Sequence, residues 1–418
     1  MKKIIIRGKK ELSGTIDISG AKNSVVALIP AAILVDDIVT IENVPNLSDT
    51  ENLEKIISLL GGKISFGDGK LIIDGRNVKN ETISEELSQK LRASYYFMGA
   101  LLARFHRVEI FFPGGCKIGA RPIDYHLNAF KQMGAKVTQE ETDKYVIEAA
   151  NLHGADIDLA FPSVGATINI MLAASLANGE TVIRNAAKEP EITNIQNMLN
   201  GMGANISGAG TNEIRIIGVP KLHGTTIKTI PDRIEAGTYL MIGALIGKKL
   251  KIDNIDAKHL TSVIDELRKM GAKIKEKENC LYVTSAKKMK PTNITTAVYP
   301  GFPTDLGQPM SVLLTQASGT SHFKETIYES RIGHLPELVK MGAKIDYTNQ
   351  DATIYGKTKL IASSVNATDL RAGAALIIAG LIADGTTKIG NIEYILRGYE
   401  DIVSKLKQVG ADIEIIEE

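Results

Sequence analysis

The stretch KMGAKIKE (269–276) is one of six similar phrases that decide the architecture of this 418-residue chain. The six phrases are LLGGKISF (59–66), QMGAKVTQ (132–139), GMGANISG (201–208), KMGAKIKE (269–276), KMGAKIDY (340–347) and QVGADIEI (408–415). Their first aligned glycines follow one another at intervals of 68 to 73 residues. A nearly constant period along a whole chain indicates a structural unit that is used repeatedly.

Each phrase is predicted to end an amphipathic helix and to begin a strand. In HLTSVIDELRKMGAKIKE (259–276), Leu260, Val263, Ile264 and Leu267 have the i, i+3, i+4, i+7 spacing of one helix face. The glycine that follows suits a helix C-terminus. Upstream segments rich in β-branched residues predict a strand before the helix, as in TVIRNAA (181–187), LKIDNID (250–256) and TKIGNIE (387–393).

A second type of helix occurs once in each repeat. The six segments are SGAKNSVVALIPAAIL (19–34), QKLRASYYFMGALLA (89–103), PSVGATINIMLAASLA (162–177), PDRIEAGTYLMIGALIG (231–247), PTDLGQPMSVLLTQA (303–317) and ATDLRAGAALIIAGLI (367–382). They are apolar on almost every side and rich in alanine and glycine. Such helices are typical of a protein interior, where small residues allow close helix packing.

The repeated unit is therefore strand, buried helix, strand, amphipathic helix, strand, which predicts an α/β protein with helices inside and sheets outside. Six units are too many for one core, so we expect two domains of three units each. We predict a first domain over 21–229 and a second over 1–20 and 230–418, with GTTIKTIPD (224–232) opening the fourth unit. We also expect the first and last strands to pair in the second domain.

Composition limits the possible functions. The formal net charge is +1, which argues against a nucleic-acid-binding or membrane-surface protein. Two cysteines make no disulfide framework, and MKKIIIRGKK (1–10) lacks the apolar core of a signal peptide. The longest apolar runs, such as AGAALIIAGLIA (372–383), are about half the length of a membrane span. We expect a cytoplasmic protein without membrane or nucleic-acid partners.

Polar residues gather at the N-terminal turns of the predicted buried helices, where a charge is costly without a partner. They are Lys22, Asn23, Arg92, Ser163, Thr167, Arg233, Glu235, Asp305, Asp369 and Arg371. The loops before the amphipathic helices add Cys116, Lys117, Arg121, Lys188, Glu189, Glu191, Arg331 and Arg397. Helix caps and salt bridges could explain individual members. Together they favour a site for an anionic ligand between the domains, since helix N-termini attract anions and arginine binds carboxylate and phosphate.

Two of these residues are candidates for proton transfer. Cys116 lies in the glycine-rich loop FPGGCKIGARPID (112–124) beside Lys117 and Arg121, and such a positive setting lowers a thiol pKa. Cys280, in contrast, fits a buried structural cysteine. Asp305, in YPGFPTDLGQP (299–309), could be a helix cap or a general base. Neither metal-ligand histidine spacing nor a nucleotide-binding glycine motif is present, so we expect no metal and no cofactor.

The motifs together resemble the enolpyruvyl transferase family, in the branch that acts on UDP-N-acetylglucosamine. They are SGAKN (19–23), LRAS (91–94), PGGCKIGARPID (113–124), SVGATIN (163–169), EPEI (189–192), PDRIEAGT (231–238), FPTDL (302–306), ATDLRA (367–372) and RGYE (397–400). The resemblance implies an inside-out α/β barrel in two domains. It also implies transfer of the enolpyruvyl group of phosphoenolpyruvate to the sugar 3-hydroxyl through a tetrahedral intermediate, with release of phosphate. This is the first committed step of peptidoglycan synthesis, and we expect a monomer.

The resemblance also implies roles for individual residues. Cys116 protonates the methylene carbon or assists product release and is alkylated by fosfomycin, and Asp305 acts as base on the sugar hydroxyl. Lys22, Arg92, Arg121 and Arg397 hold phosphoenolpyruvate, and Arg331 and Arg371 complete the site. Contacts to the nucleotide sugar are assigned to Asn23, Arg121, Pro122, Ile123, Asp124, Tyr125, Ser163, Val164, Gly165 and Ile327. Two alternatives remain: an enzyme that uses shikimate 3-phosphate, and a non-catalytic protein that binds a UDP-sugar.

Overall fold

The structure, a computed structural model, describes residues 2–114, 119, 122–140 and 143–417. Its α-helices are α1 Lys22–Ala31, α2 Ser48–Leu59, α3 Glu85–Lys90, α4 Tyr96–Phe105, α5 Asp124–Gln132, α6 Val164–Ala174, α7 Pro190–Gly201, α8 Arg233–Ile246, α9 Thr261–Lys269, α10 Gly307–Gln316, α11 Leu335–Lys340, α12 Leu370–Ile382, α13 Glu393–Leu396 and α14 Ile402–Gln408. Short 3₁₀ helices cover Ala32–Leu34, Arg92–Tyr95, Ala257–Leu260 and Thr304–Leu306.

The strands are β1 Lys2–Arg7, β2 Leu12–Asp17, β3 Ile38–Glu42, β4 Lys63–Gly67, β5 Lys70–Asp74, β6 Arg107–Phe111, β7 Lys136–Gln139, β8 Lys144–Glu148, β9 Asp156–Asp158, β10 Glu180–Arg184, β11 Asn205–Ser207, β12 Glu213–Ile217, β13 Thr226–Lys228, β14 Gly247–Asp253, β15 Lys273–Lys277, β16 Cys280–Thr284, β17 Ile294–Thr295, β18 Thr320–Lys324, β19 Lys344–Tyr347, β20 Asp351–Tyr355, β21 Ser364–Asn366, β22 Thr386–Gly390 and β23 Asp412–Glu417. In the described ranges they form six sheets. Their strand orders are β13-β3-β5-β4, β6-β8-β7, β11-β12-β10-β9, β15-β16-β14-β2, β17-β18-β20-β19 and β21-β22-β1-β23.

The chain divides into two compact units. Of the described residues, the N-terminal unit comprises 20–114, 122–140 and 143–230, and the C-terminal unit comprises 2–19, 119 and 231–417. Each unit has its own hydrophobic core. Of the helices predicted to be buried, α1, α4 and α6 lie in the N-terminal core, and α8, α10 and α12 pack against one another in the C-terminal core.

The sequence-based prediction of two helix types is confirmed for these elements. Every residue of α6 from Gly165 to Ala174 is buried, whereas α9 buries only Val263, Ile264 and Leu267. Small residues allow the close packing of the buried helices. At Gly99 of α4, an added Cβ would lie 2.4 Å from the backbone oxygen of Asn169 in α6, so no larger residue fits there without a shift.

The glycines of the six repeated phrases share one backbone conformation. They are Gly61, Gly134, Gly203, Gly271, Gly342 and Gly410, with φ between +90° and +105°. Such angles favour glycine because it has no Cβ, and here they end each amphipathic helix and turn the chain into the following strand. The predicted glycine C-termini are confirmed.

The pairing of the chain ends is also confirmed, because β1 pairs antiparallel with β23 over six residues. Strand β13 in GTTIKTIPD pairs with β3 in the N-terminal unit, and β14 of the fourth repeat pairs in parallel with β2. This strand therefore does not open the fourth repeat, and the C-terminal unit resumes at Pro231, near the end of the segment.

A polar cluster surrounds the buried Glu235 in the C-terminal unit. Lys405 Nζ donates to Glu235 Oε1 (2.7 Å) and to Ser19 Oγ (2.6 Å), and Ser19 Oγ donates to Glu400 Oε2 (2.7 Å). The Ser19 amide donates to the other oxygen of Glu235 (2.8 Å). Burial raises the pKa of Glu235 to about 7, although Lys405 opposes the shift. No described helix is long and apolar enough to cross a membrane.

We predict that Lys405→Met lowers the free energy of unfolding by about 3 kcal/mol at pH 8, because the buried Glu235 must then either stay charged without its cation or take up a proton far above its unfolded pKa. The folded-state pKa of Glu235 is raised above its unfolded value, so ionising this group opposes folding as pH rises from about 4 to about 7. The loss should therefore shrink at about pH 5, where Glu235 is neutral in the variant. Chemical denaturation of the variant and the wild type at both pH values measures the difference in their unfolding free energies.

The double variant Glu235→Gln/Lys405→Met is the matched control and should recover most of the lost stability at pH 8, because no charge remains buried. An equal loss in Lys405→Met at the two pH values would contradict this account.

Candidate functional site

Asp305 is held between two arginines in the C-terminal unit. It lies in the 3₁₀ turn Thr304–Leu306, which precedes α10. Arg331 Nη2 donates to Asp305 Oδ1 (2.7 Å), and Arg371 donates to Oδ2 through Nη2 (3.0 Å) and Nε (3.3 Å). The side chains of Arg331 and Arg371 are 6% and 3% exposed, against 24% for Asp305. The carboxylate is therefore the solvent-facing member of a mostly buried ion triad.

The two guanidinium groups determine the charge of this site. Burial alone would raise the pKa of Asp305, but the positive charges of Arg371 and Arg331 outweigh it and hold that pKa well below its usual range. Asp305 is thus ionised at neutral pH. Because two cations face one anion, the triad keeps one net positive charge.

Both arginines retain unused hydrogen-bond donors. Arg371 Nη1 and Arg331 Nε are buried and have no hydrogen-bond partner among the described residues. The guanidinium of Arg371 lies over the ring of Tyr399 (5.3 Å), and that of Arg331 lies over Tyr328 (5.4 Å). The aromatic faces help to fix the planes of the two cations. Unused donors next to a net positive charge suit an anionic ligand.

Each arginine is positioned by a separate segment of the chain. Arg371 lies in the first turn of α12, whose N-cap is Asp369: Asp369 Oδ1 accepts from the amides of Arg371 (2.8 Å) and Ala372 (3.0 Å). Arg331 lies between β18 and α11. The capping role considered for Asp369 is confirmed, and it aligns the helix that carries Arg371.

Glu325 links the turn of Asp305 to Ile327, and sequence analysis missed it. This glutamate is 1% exposed. Its Oε2 accepts from Thr304 Oγ1 (2.8 Å), and its Oε1 accepts from the amide of Ile327 (2.7 Å) and from Thr296 Oγ1 (2.9 Å). No signal in the sequence marks this residue, because a glutamate that follows a strand is ordinarily exposed.

In the N-terminal unit, Lys22 is the first residue of α1 and pairs with Asp49. The Lys22 Nζ to Asp49 Oδ2 distance is 2.7 Å, and the Asp49 side chain is 2% exposed. Asn23 follows at the same helix N-terminus and is half-buried. Asp49 was not predicted, because the amphipathic pattern of α2 places it among exposed acidic residues. The pair holds the Lys22 ammonium at the start of a buried helix.

Arg92 begins the 3₁₀ helix before α4 and contacts the chain just before the cysteine loop. Its Nη1 donates to the carbonyl of Pro113 (3.1 Å), and its guanidinium lies over the rings of Tyr95 (5.6 Å) and Phe112 (5.4 Å). Arg92 therefore helps to fix the position at which that loop begins.

The N-termini of α5 and α6 are joined by a buried contact. Asn169 of α6 donates from Nδ2 to His126 Nδ1 of α5 (2.9 Å), because its Oδ1 already accepts from the Gly99 amide (2.8 Å). Burial lowers the pKa of His126 to about 3, and the charge of Arg92 adds to the shift. His126 is therefore neutral and can accept this hydrogen bond. Sequence analysis did not predict this link.

Several predicted nucleotide-sugar residues lie at these two helix N-termini. Ser163 caps α6 by accepting from the Ala166 amide (3.3 Å), and Val164 and Gly165 form its first turn. Asp124 and Tyr125 open α5, after Pro122 and Ile123. Backbone N–H groups at helix N-termini are unpaired within the helix and can bind phosphate oxygens.

The remaining predicted residues are placed as follows. Arg397 follows α13 in the C-terminal unit and is half-buried. Cys116 and Arg121 lie outside the described residues. The structure thus brings Asp305, Arg331 and Arg371 into direct contact and links Ile327 to their turn through Glu325. Apart from Arg397, it places the other described residues at or next to helix N-termini.

Comparison with known proteins places this arrangement in a family. The model of the EPSP synthase family (3-phosphoshikimate 1-carboxyvinyltransferase) matches residues 6–406. A UDP-N-acetylglucosamine 1-carboxyvinyltransferase from Streptococcus pneumoniae serotype 2 (strain D39) is 51% identical over 419 aligned residues, covering 100% of both chains. A UDP-N-acetylglucosamine 1-carboxyvinyltransferase 2 from Lactococcus lactis (strain IL1403) is 50% identical over 421, again covering 100% of both.

Solved structures agree in fold. The enolpyruvyl transferase NikO from Streptomyces tendae has a TM-score of 0.91 at 26% identity and covers 99% of each chain. EPSP synthase from Acinetobacter baumannii has a TM-score of 0.77 at 19% identity over 100% of each chain, which shows the fold alone. The mixed α/β architecture of the two units is that of these enolpyruvyl transferases, and the chain belongs to the EPSP synthase family.

Proposed function

We propose that the chain transfers the enolpyruvyl group of phosphoenolpyruvate to the 3-hydroxyl of UDP-N-acetylglucosamine and releases phosphate, as the first committed step of peptidoglycan synthesis. The observation that carries the proposal is 51% identity, without truncation, to a relative named for this transfer. The positively charged triad around Asp305 supports it, since phosphoenolpyruvate carries both a phosphate and a carboxylate.

The proposed reaction requires an acid and a base. The sugar oxygen bonds to C2 of phosphoenolpyruvate, its proton goes to a base, and another proton adds to C3. The tetrahedral intermediate then loses a proton from C3 and phosphate from C2, and the double bond is restored. We assign the base to Asp305 and the acid to Cys116, which alternatively assists product release. The assignment of Cys116 rests on its sequence motif.

The charge of the triad explains how Asp305 could act as a base only with substrate present. With Arg331 and Arg371 both bound to it, Asp305 is ionised but holds a proton weakly. A substrate anion at Arg371 Nη1 and Arg331 Nε would share their positive charge. The pKa of Asp305 would then rise toward the value that proton abstraction needs.

We assign the remaining contacts by chemistry. Lys22, Arg92, Arg121 and Arg397 bind the phosphate and carboxylate of phosphoenolpyruvate and stabilise charge that develops in the transition state. The N-termini of α5 and α6, with Arg121–Tyr125 and Ser163–Gly165, bind the uridine diphosphate. Asn23 contacts the sugar, and Ile327 lies near the nucleotide sugar.

The proposal includes the finer architecture. We propose an inside-out α/β barrel of six βαβαβ units, three in each of the domains 21–229 and 1–20 with 230–418. Support comes from the buried helices at the centre of each core and from the parallel pairs in separate sheets, such as β9 with β10 and β17 with β18. We further propose a cytoplasmic monomer.

We predict that the purified protein releases phosphate from phosphoenolpyruvate when UDP-N-acetylglucosamine is added, and not when shikimate 3-phosphate is added. The acceptor has to fit a site built for a nucleotide diphosphate at two helix N-termini. A phosphate-release assay with each acceptor measures this. Turnover with shikimate 3-phosphate alone would overturn the proposal, and so would calorimetric binding of UDP-N-acetylglucosamine without any phosphate release.

For Cys116, we predict that Cys116→Ser slows turnover at least about 100-fold while calorimetric binding of the UDP-sugar is unchanged, because a hydroxyl is a far weaker acid than a thiol. Fosfomycin should add its mass to the wild-type protein, and Cys116→Asp should remain active without being modified.

Cys280→Ser is the matched control, since Cys280 is buried in β16. It should keep both activity and modification by fosfomycin. Modification that persists in Cys116→Ser and disappears in Cys280→Ser would remove Cys116 from the proposed role.

For Asp305, we predict that Asp305→Asn lowers turnover about 100-fold and the free energy of unfolding by about 2 kcal/mol at pH 7, because two buried arginines lose their anion. The folded-state pKa of Asp305 is depressed, so its stabilisation is present above its unfolded pKa of about 4 and is lost as pH falls below that value. The difference in unfolding free energy between variant and wild type should therefore narrow in acid.

Asp265 is an exposed aspartate on α9, and Asp265→Asn serves as the control. It should change neither turnover nor the free energy of unfolding. A stability difference between Asp305→Asn and wild type that stays constant down to acid unfolding would show that the ion triad does not form.

A further inference from the structure

Gln308 is a fully buried amide in the first turn of α10, close to Asp305 in sequence. Its Nε2 makes two hydrogen bonds, donating to the backbone oxygen of Arg331 (2.7 Å) and to Asp369 Oδ2 (2.9 Å). Both N–H groups of the amide are therefore used. Sequence analysis did not single this residue out.

The orientation of the amide is fixed by its neighbours. If oxygen and nitrogen were exchanged, Gln308 Oε1 would face the Arg331 carbonyl oxygen and the Asp369 carboxylate, and no donor would lie between them. In the observed orientation, Oε1 is buried and has no hydrogen-bond partner in the described part of the chain. A buried unpaired oxygen destabilises the fold. A side chain without polar atoms would therefore be more stable here, unless the two N–H donors make a contact that the site needs.

The two acceptors belong to the two segments that carry the arginines of the triad. One is the backbone of Arg331 itself. The other is the second oxygen of Asp369, whose first oxygen caps α12 by accepting from the amides of Arg371 and Ala372. Through this one NH₂ group, α10 is hydrogen-bonded to the backbone at Arg331 and to the N-cap of α12, the helix that carries Arg371.

We propose that Gln308 is a positioning residue for the candidate site, whose amide sets the places from which Arg331 and Arg371 reach Asp305. Without it, the two segments keep their own structure but lose their common attachment. The guanidinium groups then bind Asp305 at longer or less constant distances. Gln308 needs no contact with substrate for this role, and only its effect on turnover rests on the proposed function.

The charged and titratable groups around Asp305 determine how it would titrate. The groups that act on Asp305 or on its two arginines are Arg331, Arg371, Asp369, Tyr328, Tyr399, Asp232 and His334. Burial lowers the pKa of His334 to about 4, so it is neutral near pH 7. Removal of the Gln308 amide changes none of these charges. A change in the pKa of Asp305 would therefore report a change in its distances to Arg331 and Arg371.

The test is Gln308→Met, which keeps the side-chain volume and removes both donors. The ¹³C signal of the Asp305 carboxyl, assigned by its loss in Asp305→Asn, is titrated without substrate from neutral pH to the onset of acid unfolding. We expect the pKa of Asp305 to rise, because a guanidinium group that is held farther away lowers it less. Turnover should fall about 10- to 100-fold, with the acid limb of the pH profile of kcat/KM moving up in parallel.

Thr315→Ala, on the same helix, is the matched control. Thr315 is fully buried, and its hydroxyl donates to the Val312 carbonyl (2.7 Å). This variant should lower the melting temperature without moving the acid limb of the pH profile of kcat/KM. The comparison separates an effect on the positions of the arginines from a general loss of stability.

Asp369→Asn provides a second route if Gln308→Met does not fold. Asparagine keeps the helix cap and replaces the acceptor for Gln308 by a donor. Loss of the Asp369 charge would by itself lower the pKa of Asp305, so a rise can come only from displaced arginines. An unchanged or lower Asp305 pKa in whichever variant folds would overturn the role of Gln308. Because this titration uses no substrate, a failed transferase assay leaves its result intact.

Discussion

Two guanidinium groups buried against one carboxylate are the constraint on which the candidate site in the C-terminal unit depends. Arg331 and Arg371 are almost fully removed from water, and Asp305 neutralises only one of their two charges. A buried cation requires partners that are fixed in advance, because mobile ones would leave it unpaired. The helix cap at Asp369, the amide of Gln308 and the aromatic rings beside the arginines are such partners. Buried Asp369 and Asp232 add further negative charge near the two arginines, so much of the local structure serves to compensate two buried cations.

The buried helices explain why the polar residues occur where they do. A helix surrounded by apolar neighbours can expose polar groups only at its ends, and its N-terminal N–H groups require acceptors there. Ser163, Asp232 and Asp369 supply acceptors by capping α6, α8 and α12. Residues next to such caps are both rigidly held and close to the positive end of a helix. The same geometry that satisfies the backbone therefore produces positions suited to binding anions.

The sequence predicted features that depend on neighbouring residues and missed those that depend on distant ones. The glycine that ends each amphipathic helix and the apolar surface of α6 are local, and the structure has both. The pairing partners of β2 and β13 could not be seen, because they lie far away in sequence. Asp305, Arg331 and Arg371 were found through motifs, whereas Asp49, Glu325 and Gln308 act by holding other residues. Their partners are known only once the chain is folded.

The weak basicity of Asp305 is better understood as a property of the site without an anion than as an argument against a catalytic role. A carboxylate that was not paired with these arginines would have a higher pKa and would bind a proton more readily in the absence of substrate. Here the arginines keep the carboxylate ionised, and two of their donors, Arg371 Nη1 and Arg331 Nε, have no partner in the part of the chain that the structure describes. An anion that occupies those donors competes with Asp305 for the same positive charge. In the proposed reaction, an anion bound there would raise the pKa of Asp305 toward the value that proton abstraction needs.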